Sequence, residues 1–149
     1  EAFLPPDKKE RKAILEELKN ETRTIILYEA PHHLVGTLQE LYQALGNRRM
    51  TLCRELTKKY ETASRTTIED LIAFYKDQKP LGECVLVIEG RSRKEMEQES
   101  QESWRDISIE EHMAIYENQG IARKEAMKMV AKDRGVTKRD IYQALLLQK

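Results

Sequence analysis

A chain of 149 residues with 40% apolar and 35% charged side chains has material for one core, or one core with a small appendage, under a heavily solvated surface. No apolar run approaches the roughly 20 residues needed to span a bilayer, and no signal-peptide pattern precedes Phe3, so a soluble cytoplasmic protein without membrane partners is expected. The overall charge of zero hides an asymmetry: residues 1–94 carry net +2, residues 95–119 net −7 and residues 120–149 net +5, which concentrates the charge that would attract an anionic partner at the C-terminus.

Pro5-Pro6 stands where a helix can begin but not continue, and Ala13, Ile14 and Leu18 recur at helical spacing among charges, predicting an amphipathic helix over 7–18. Residues 24–28 form a short β-rich apolar run. Pro31 ends it and starts the next helix, whose apolar face is Leu34, Leu38, Leu41, Tyr42 and Leu45, closed by Gly46. A second buried strand is predicted over 50–53. A helix over 70–75 follows, begun near Thr66-Thr67, with Glu69 and Asp70 in its first turn where acidic groups favour the dipole. Arg65 and Thr66, just before that helix, read as capping residues in preference to nucleic-acid contacts. A third strand, almost wholly apolar, covers 82–88. Cys53 and Cys84 sit inside apolar runs without CxxC spacing and read as two reduced, buried thiols. The alternation predicts an α/β fold, a mixed sheet flanked by helices, over residues 1–90.

Residues 91–105 change character. They are rich in Glu, Gln, Ser, Lys and Arg, which fits a charged linker or an exposed helix. Trp104 reads as packing this segment onto a helix in preference to stacking on a base. Residues 106–149 give three short helical patterns, over 107–116, 121–130 and 141–147, punctuated by Gly120 and Gly135, with Ser108 and Thr137 as capping candidates. This is a small helical module with the size and rhythm of a helix-turn-helix. Arg123, Lys124, Lys128, Lys132, Arg134, Lys138 and Arg139 surround apolar Met127, Val130 and Ala131, an arrangement that suits either phosphate contacts or an ordinary solvated face.

Two segments gather ionisable groups directly after strands: Tyr28-Glu29-Ala30-Pro31-His32-His33-Leu34 and Arg54-Glu55-Leu56-Thr57-Lys58-Lys59-Tyr60-Glu61. In open α/β sheets the carboxyl ends of strands are where ligands bind, so the two read as one site. His32 and His33 titrate near neutrality and could accept a proton, as could Glu29, Glu55 or Glu61 if partly buried. Lys58 and Arg54 could hold a phosphate or an oxygen that is losing its proton. Glu55 and Lys58, at i,i+3, are equally compatible with a simple surface ion pair.

These two motifs, together with Gly82-Glu83-Cys84-Val85-Leu86-Val87-Ile88-Glu89-Gly90, resemble the second half of the bacterial ribosomal RNA small-subunit methyltransferase I family, in the tetrapyrrole-methylase-like group. The resemblance implies the second lobe of that fold, the cofactor S-adenosylmethionine (SAM), and methylation of a cytidine ribose 2′-hydroxyl in 16S ribosomal RNA. It implies cofactor contacts by Tyr28, Glu29, Leu56, Thr57 and Cys84; with it, Glu55, Lys58 and His32 are read as the catalytic candidates, although two adjacent histidines after a strand are also compatible with partnered local donors. RNA contacts fall to His33, Arg54, Arg123, Lys124, Lys128, Lys132 and Lys138. No metal is required. The family usually has Arg where this chain has His33. Nothing in the chain resembles the family's preceding half with its glycine-rich SAM loops, and the chain opens on Glu1, so a fragment that is inactive alone and forms a homodimer is expected. A small-molecule, tetrapyrrole-type methylase lobe and a non-catalytic RNA-binding module remain alternatives.

Overall fold

The computed structural model describes residues 2–147 and divides into two compact units between Arg91 and Ser92. Glu1, Gln148 and Lys149, which the segments above include, lie outside the described residues.

The first unit runs β1 (Ala2–Phe3), α1 (Lys8–Leu18), β2 (Ile25–Glu29), a 3-10 turn (Pro31–His33), α2 (Leu34–Leu45), β3 (Arg49–Arg54), β4 (Thr62–Thr67), α3 (Ile68–Phe74) and β5 (Cys84–Ile88). Helix α1 starts where the Asp7 carboxylate accepts the Lys9 and Glu10 N–H groups at 3.0 and 2.9 Å, satisfying donors that no helical carbonyl reaches. Gly46 ends α2 with φ +75°, a conformation glycine adopts without steric penalty. The buried side of α2 is Leu34, Thr37, Leu38, Leu41 and Leu45, and Tyr42, expected on that face, is exposed. Thr37 takes the core position because it lies four residues before Leu41, on the same stripe.

The sheet order is β1-β2-β5-β3-β4, with β1 parallel to β2 and every other neighbour antiparallel. Ile25 and Leu27, Leu86 and Ile88, and Met50 and Leu52 form one face, buried with Leu15, Leu38, Leu41, Ile68 and Leu71 of the three helices. Strand β4 was not foreseen. Its sequence TASRTT is polar and it forms an exposed edge, so it lacks the apolar alternation that marks a half-buried strand. Arg65 and Thr66 therefore lie inside this strand. The cap of α3 is Thr67, whose hydroxyl accepts the Asp70 N–H at 3.2 Å. Cys84 is buried but Cys53 is half-exposed. Cys53 pairs with Val85, and Arg54 with Cys84, so alternation puts the two thiols on opposite faces.

The second unit contains α4 (Arg93–Ser103), α5 (Ile109–Glu117), α6 (Arg123–Arg134) and α7 (Lys138–Leu147). The charged segment is an exposed helix, α4, capped by the Ser92 hydroxyl and with no buried residue. Ser108 and Glu111 form a reciprocal capping box at the start of α5, and Thr137 and Asp140 satisfy each other in the same way at α7. Gly135, at φ +65°, ends α6 in the left-handed region that such termini favour. Met113, Ala126, Val130, Ala131 and Ile141 make the core.

Candidate ligand-binding end of the sheet

Strand β5 lies between β2 and β3 and is antiparallel to both. The carboxyl ends of β2 and β3 therefore share one edge of the sheet with the amino end of β5. Glu29 stands opposite Cys84, Cys84 opposite Arg54, and Arg54 opposite Thr62. The two motifs meet there because one antiparallel strand is inserted between two parallel ones.

A hollow of about 500 Å³ opens at this edge, lined by Phe3, Tyr28, Glu29, Ala30, Pro31, Leu56, Glu83, Cys84 and Val85. It takes in four of the five residues assigned to the cofactor. Thr57 is not among them; its N–H donates to the Glu61 carboxylate at 2.6 Å within the turn after β3. Burial pushes the Cys84 thiol above its ordinary range, so it is a neutral wall group whose Sγ donates to the Gly82 carbonyl at 3.4 Å. Glu29 is buried, and its carboxylate accepts from the Ala30 N–H at 2.8 Å and the Thr37 hydroxyl at 2.5 Å. Thr37 in turn accepts from Arg11 at 2.7 Å. This chain of hydrogen bonds supplies the partners that a buried carboxylate needs.

The turn from β3 to β4 holds the remaining candidates. Glu55 and Thr57 have φ of +52° and +66°, conformations disfavoured for residues with a Cβ. They are held by bonds from several sides. The Glu55 N–H donates to the Glu83 carbonyl at 3.1 Å and its carboxylate accepts the Glu83 N–H at 2.8 Å, while Arg54 Nε donates to the Leu81 carbonyl at 2.9 Å. Lys58 Nζ lies 3.3 Å from Glu55 and 3.1 Å from Glu83. The Glu83 N–H, and then the Lys58 ammonium, hold the Glu55 carboxyl below the usual range. Glu83 and Glu55 raise Lys58, so it is a firmly protonated cation paired with Glu83, a residue that lines the hollow. Glu55, ionised and already accepting, is better suited to orienting Lys58 than to taking a proton.

His32 and His33 are exposed, with ring centroids 4.1 Å apart. They line a neighbouring hollow of about 630 Å³ with Lys8, Arg11 and Glu40, and Glu29 and Ala30 form a wall common to both hollows. Phe3, Gly82, Glu83, Arg11 and Thr37 were missed from sequence. Gly82 carried a signal as the glycine before the apolar run. Glu83 stood in the same motif, but only the antiparallel placement of β5 brings it to this edge.

In the second unit the basic residues differ in their freedom. Arg123 pairs with Glu117 at 3.1 Å and Lys128 with Glu125 at 3.0 Å. Arg134 is not part of a cationic face: Nε donates to His112 Nδ1 at 3.0 Å and Nη2 to the Ile107 carbonyl at 2.6 Å. His112 was overlooked entirely. It is fully buried, stacked on Trp104 with centroids 3.8 Å apart, and its Nε2 lies 3.1 Å from Asp133 Oδ2. Because Nδ1 accepts from Arg134, the proton of the neutral ring is on Nε2 and is donated to Asp133. Tyr116 donates to the same carboxylate oxygen.

The open mixed sheet, its helical layer and a ligand-sized hollow at the strand ends define a lobe of methylase-like α/β architecture. No family model matches the chain. Among the curated proteins similar to it are three named "Ribosomal RNA small subunit methyltransferase I". The one from Bacillus subtilis (strain 168) is 44% identical over 142 residues, 95% of this chain and 48% of its own length. That from Halalkalibacterium halodurans is 44% identical over 140 residues, 94% of this chain and 48% of its own. That from Synechocystis sp. is 38% identical over 147 residues, 98% and 51% respectively. The chain belongs to this ribosomal RNA small subunit methyltransferase I family and matches its C-terminal part. It spans about half the length of the curated relatives it matches.

Proposed function

We propose that this chain is the C-terminal part of a SAM-dependent methyltransferase that methylates the ribose 2′-hydroxyl of a cytidine in 16S ribosomal RNA, in the cytoplasm. The observation that carries the reading is the meeting of the segments after β2 and β3 at one end of the sheet, where Tyr28, Glu29 and Leu56 line one hollow, in a chain whose relatives bear the methyltransferase name. The hollow fits the cofactor chemically. Phe3, Tyr28, Leu56 and Val85 offer apolar and aromatic wall to a nucleoside, and Glu29 and Glu83 bring negative charge near a cationic sulfur. When bound, SAM supplies an electrophilic methyl group.

The chain's own residues position and deprotonate the attacking hydroxyl. Lys58 stabilises the ribose oxygen as it loses its proton or grips the adjacent phosphate, held in place by Glu55 and Glu83. His32 accepts the proton, and His33 and Arg54 contact the RNA. Orientation of the reactants supplies much of the rate in such a transfer. Tyr28, Glu29, Leu56 and Cys84, which line the hollow, contribute this lobe's share of the cofactor contacts, and the half present in the longer relatives contributes the rest.

Calorimetric titration with SAM tests the division. This chain alone is expected to bind weakly and to transfer no methyl group, whereas a protein of the relatives' full length containing it binds and methylates 16S RNA at a ribose. Tight, stoichiometric binding by this chain overturns the division of labour.

A further inference from the structure

We propose that the outward face of α7, built from Arg139, Tyr142 and Gln143 with Lys138 beside them, is the surface through which the helical unit binds unpaired RNA, with Tyr142 stacking on a base. The inference rests on the RNA reading above and specifies the face and its chemistry. Much of the charge on α6 is engaged: Arg123 and Lys128 are ion-paired, and Arg134 is tied to His112 and to backbone carbonyls. On α7 the balance is reversed. The carboxylate nearest in sequence to Lys138 and Arg139 is Asp140, and it accepts the Thr137 N–H and hydroxyl at 2.9 and 2.6 Å. Neither cation forms an ion pair among the described residues.

Residues 139, 142, 143 and 146 recur at i, i+3, i+4 and i+7 and share one face, opposite the buried Ile141. Tyr142 is 54% exposed, and its ring has no aromatic or hydrogen-bonding partner among the described residues. An aromatic ring flanked by unpaired cations matches single-stranded RNA, whose phosphates attract the charge and whose bases offer a π-face. A duplex hides its base faces, so the surface favours unpaired strands.

The test uses this chain, a fluorescein-labelled unstructured oligoribonucleotide and its duplex, with anisotropy followed across salt. Wild type is expected to prefer the single strand. Tyr142→Ala should weaken that complex at least about 5-fold at unchanged salt slope, whereas Tyr142→Phe retains affinity. Lys138→Gln/Arg139→Gln should reduce the slope by roughly 1 to 1.5. Tight binding with all three variants like wild type overturns this face and leaves the RNA reading standing, with Lys124→Glu/Lys132→Glu then locating the contact on α6. No binding to either RNA at low salt removes both. If Tyr142→Ala dissolves a dimer in sedimentation and leaves RNA affinity untouched, the face is a contact between copies and the proposal fails.

Discussion

At Gly82 two independent demands meet. Its φ is +78°, and a Cβ added there would come within 2.3 Å of Glu55 Oε1, the carboxylate that grips the Glu83 N–H and Lys58. Gly120 has a similar φ of +84° with open space around it. Gly120→Ala should therefore cost about 1 kcal/mol from backbone strain alone, and Gly82→Ala about 2 kcal/mol or more, with the turn after β3 displaced. Urea denaturation of the two variants separates these effects; equal losses would mean that Glu55 yields freely. In a protein of the relatives' full length, Lys58→Ala should reduce single-turnover methyl transfer on the order of 100-fold or more, as expected for removal of a preorganised charge. If Glu55 acts through Lys58, Glu55→Gln should lose less and Lys58→Arg should recover part. An unchanged rate at a normal melting temperature would make the pair simple surface structure.

Among the elements, α5 and α6 share a polar core that the sequence did not announce. His112 on α5 is faced by Trp104 from the turn after α4, by Tyr116 on its own helix, and by Asp133 and Arg134 on α6. Burial, chiefly, lowers its affinity for a proton below the ordinary value of 6.5, with Arg134 acting the same way and Asp133 opposing. The unfolded chain thus protonates this ring before the folded one does. Its contribution is fully present above about pH 6.5 and is lost as pH falls from there toward the lowered native value, by up to about 1.4 kcal/mol per pH unit. Thermal melts between pH 7.5 and 5 should show this slope, and His112→Gln should be less stable at pH 7.5 and flatter across the window. The depressed carboxyls of Glu21, which falls to about 2, and of Glu55, Glu89 and Asp140 act at lower pH and do not confuse the measurement. Asp133 also pushes the Tyr116 hydroxyl up to about 12, consistent with its standing as a donor.

For the whole molecule, the division between Arg91 and Ser92 gives each of the two units its own buried apolar core. We propose that they unfold as separate cooperative units. Trp104, the single tryptophan, stacks on His112 in the helical unit, so its fluorescence reports that unit while far-ultraviolet circular dichroism reports both. The two probes should give non-coincident transitions in urea, and superimposable curves would argue for one cooperative structure. Leu38→Ala, at a position with 0% exposure in the sheet-bearing unit, should cost about 2 to 5 kcal/mol and move the circular dichroism curve while leaving the tryptophan transition in place.

Local chemistry was sufficient for much of this. Apolar period gave α1, α2, β2, β3 and β5 within a few residues, glycines marked the ends of α2 and α6, and the motifs after β2 and β3 were legible as neighbours because ligand sites collect at strand ends. What sequence could not supply was anything set by pairing across the chain. The polar edge strand β4 has no apolar pattern and exists because β3 offers it a row of backbone partners. The insertion of β5 between β2 and β3 brings Cys84 and Glu83 to the site, and no local signal encodes strand order. Which backbone group holds the Glu55 carboxylate, and whether Arg134 faces solvent or His112, was likewise decided by tertiary contacts. A side chain's type fixes what it can donate or accept; only the fold determines which partner is within 3 Å of it.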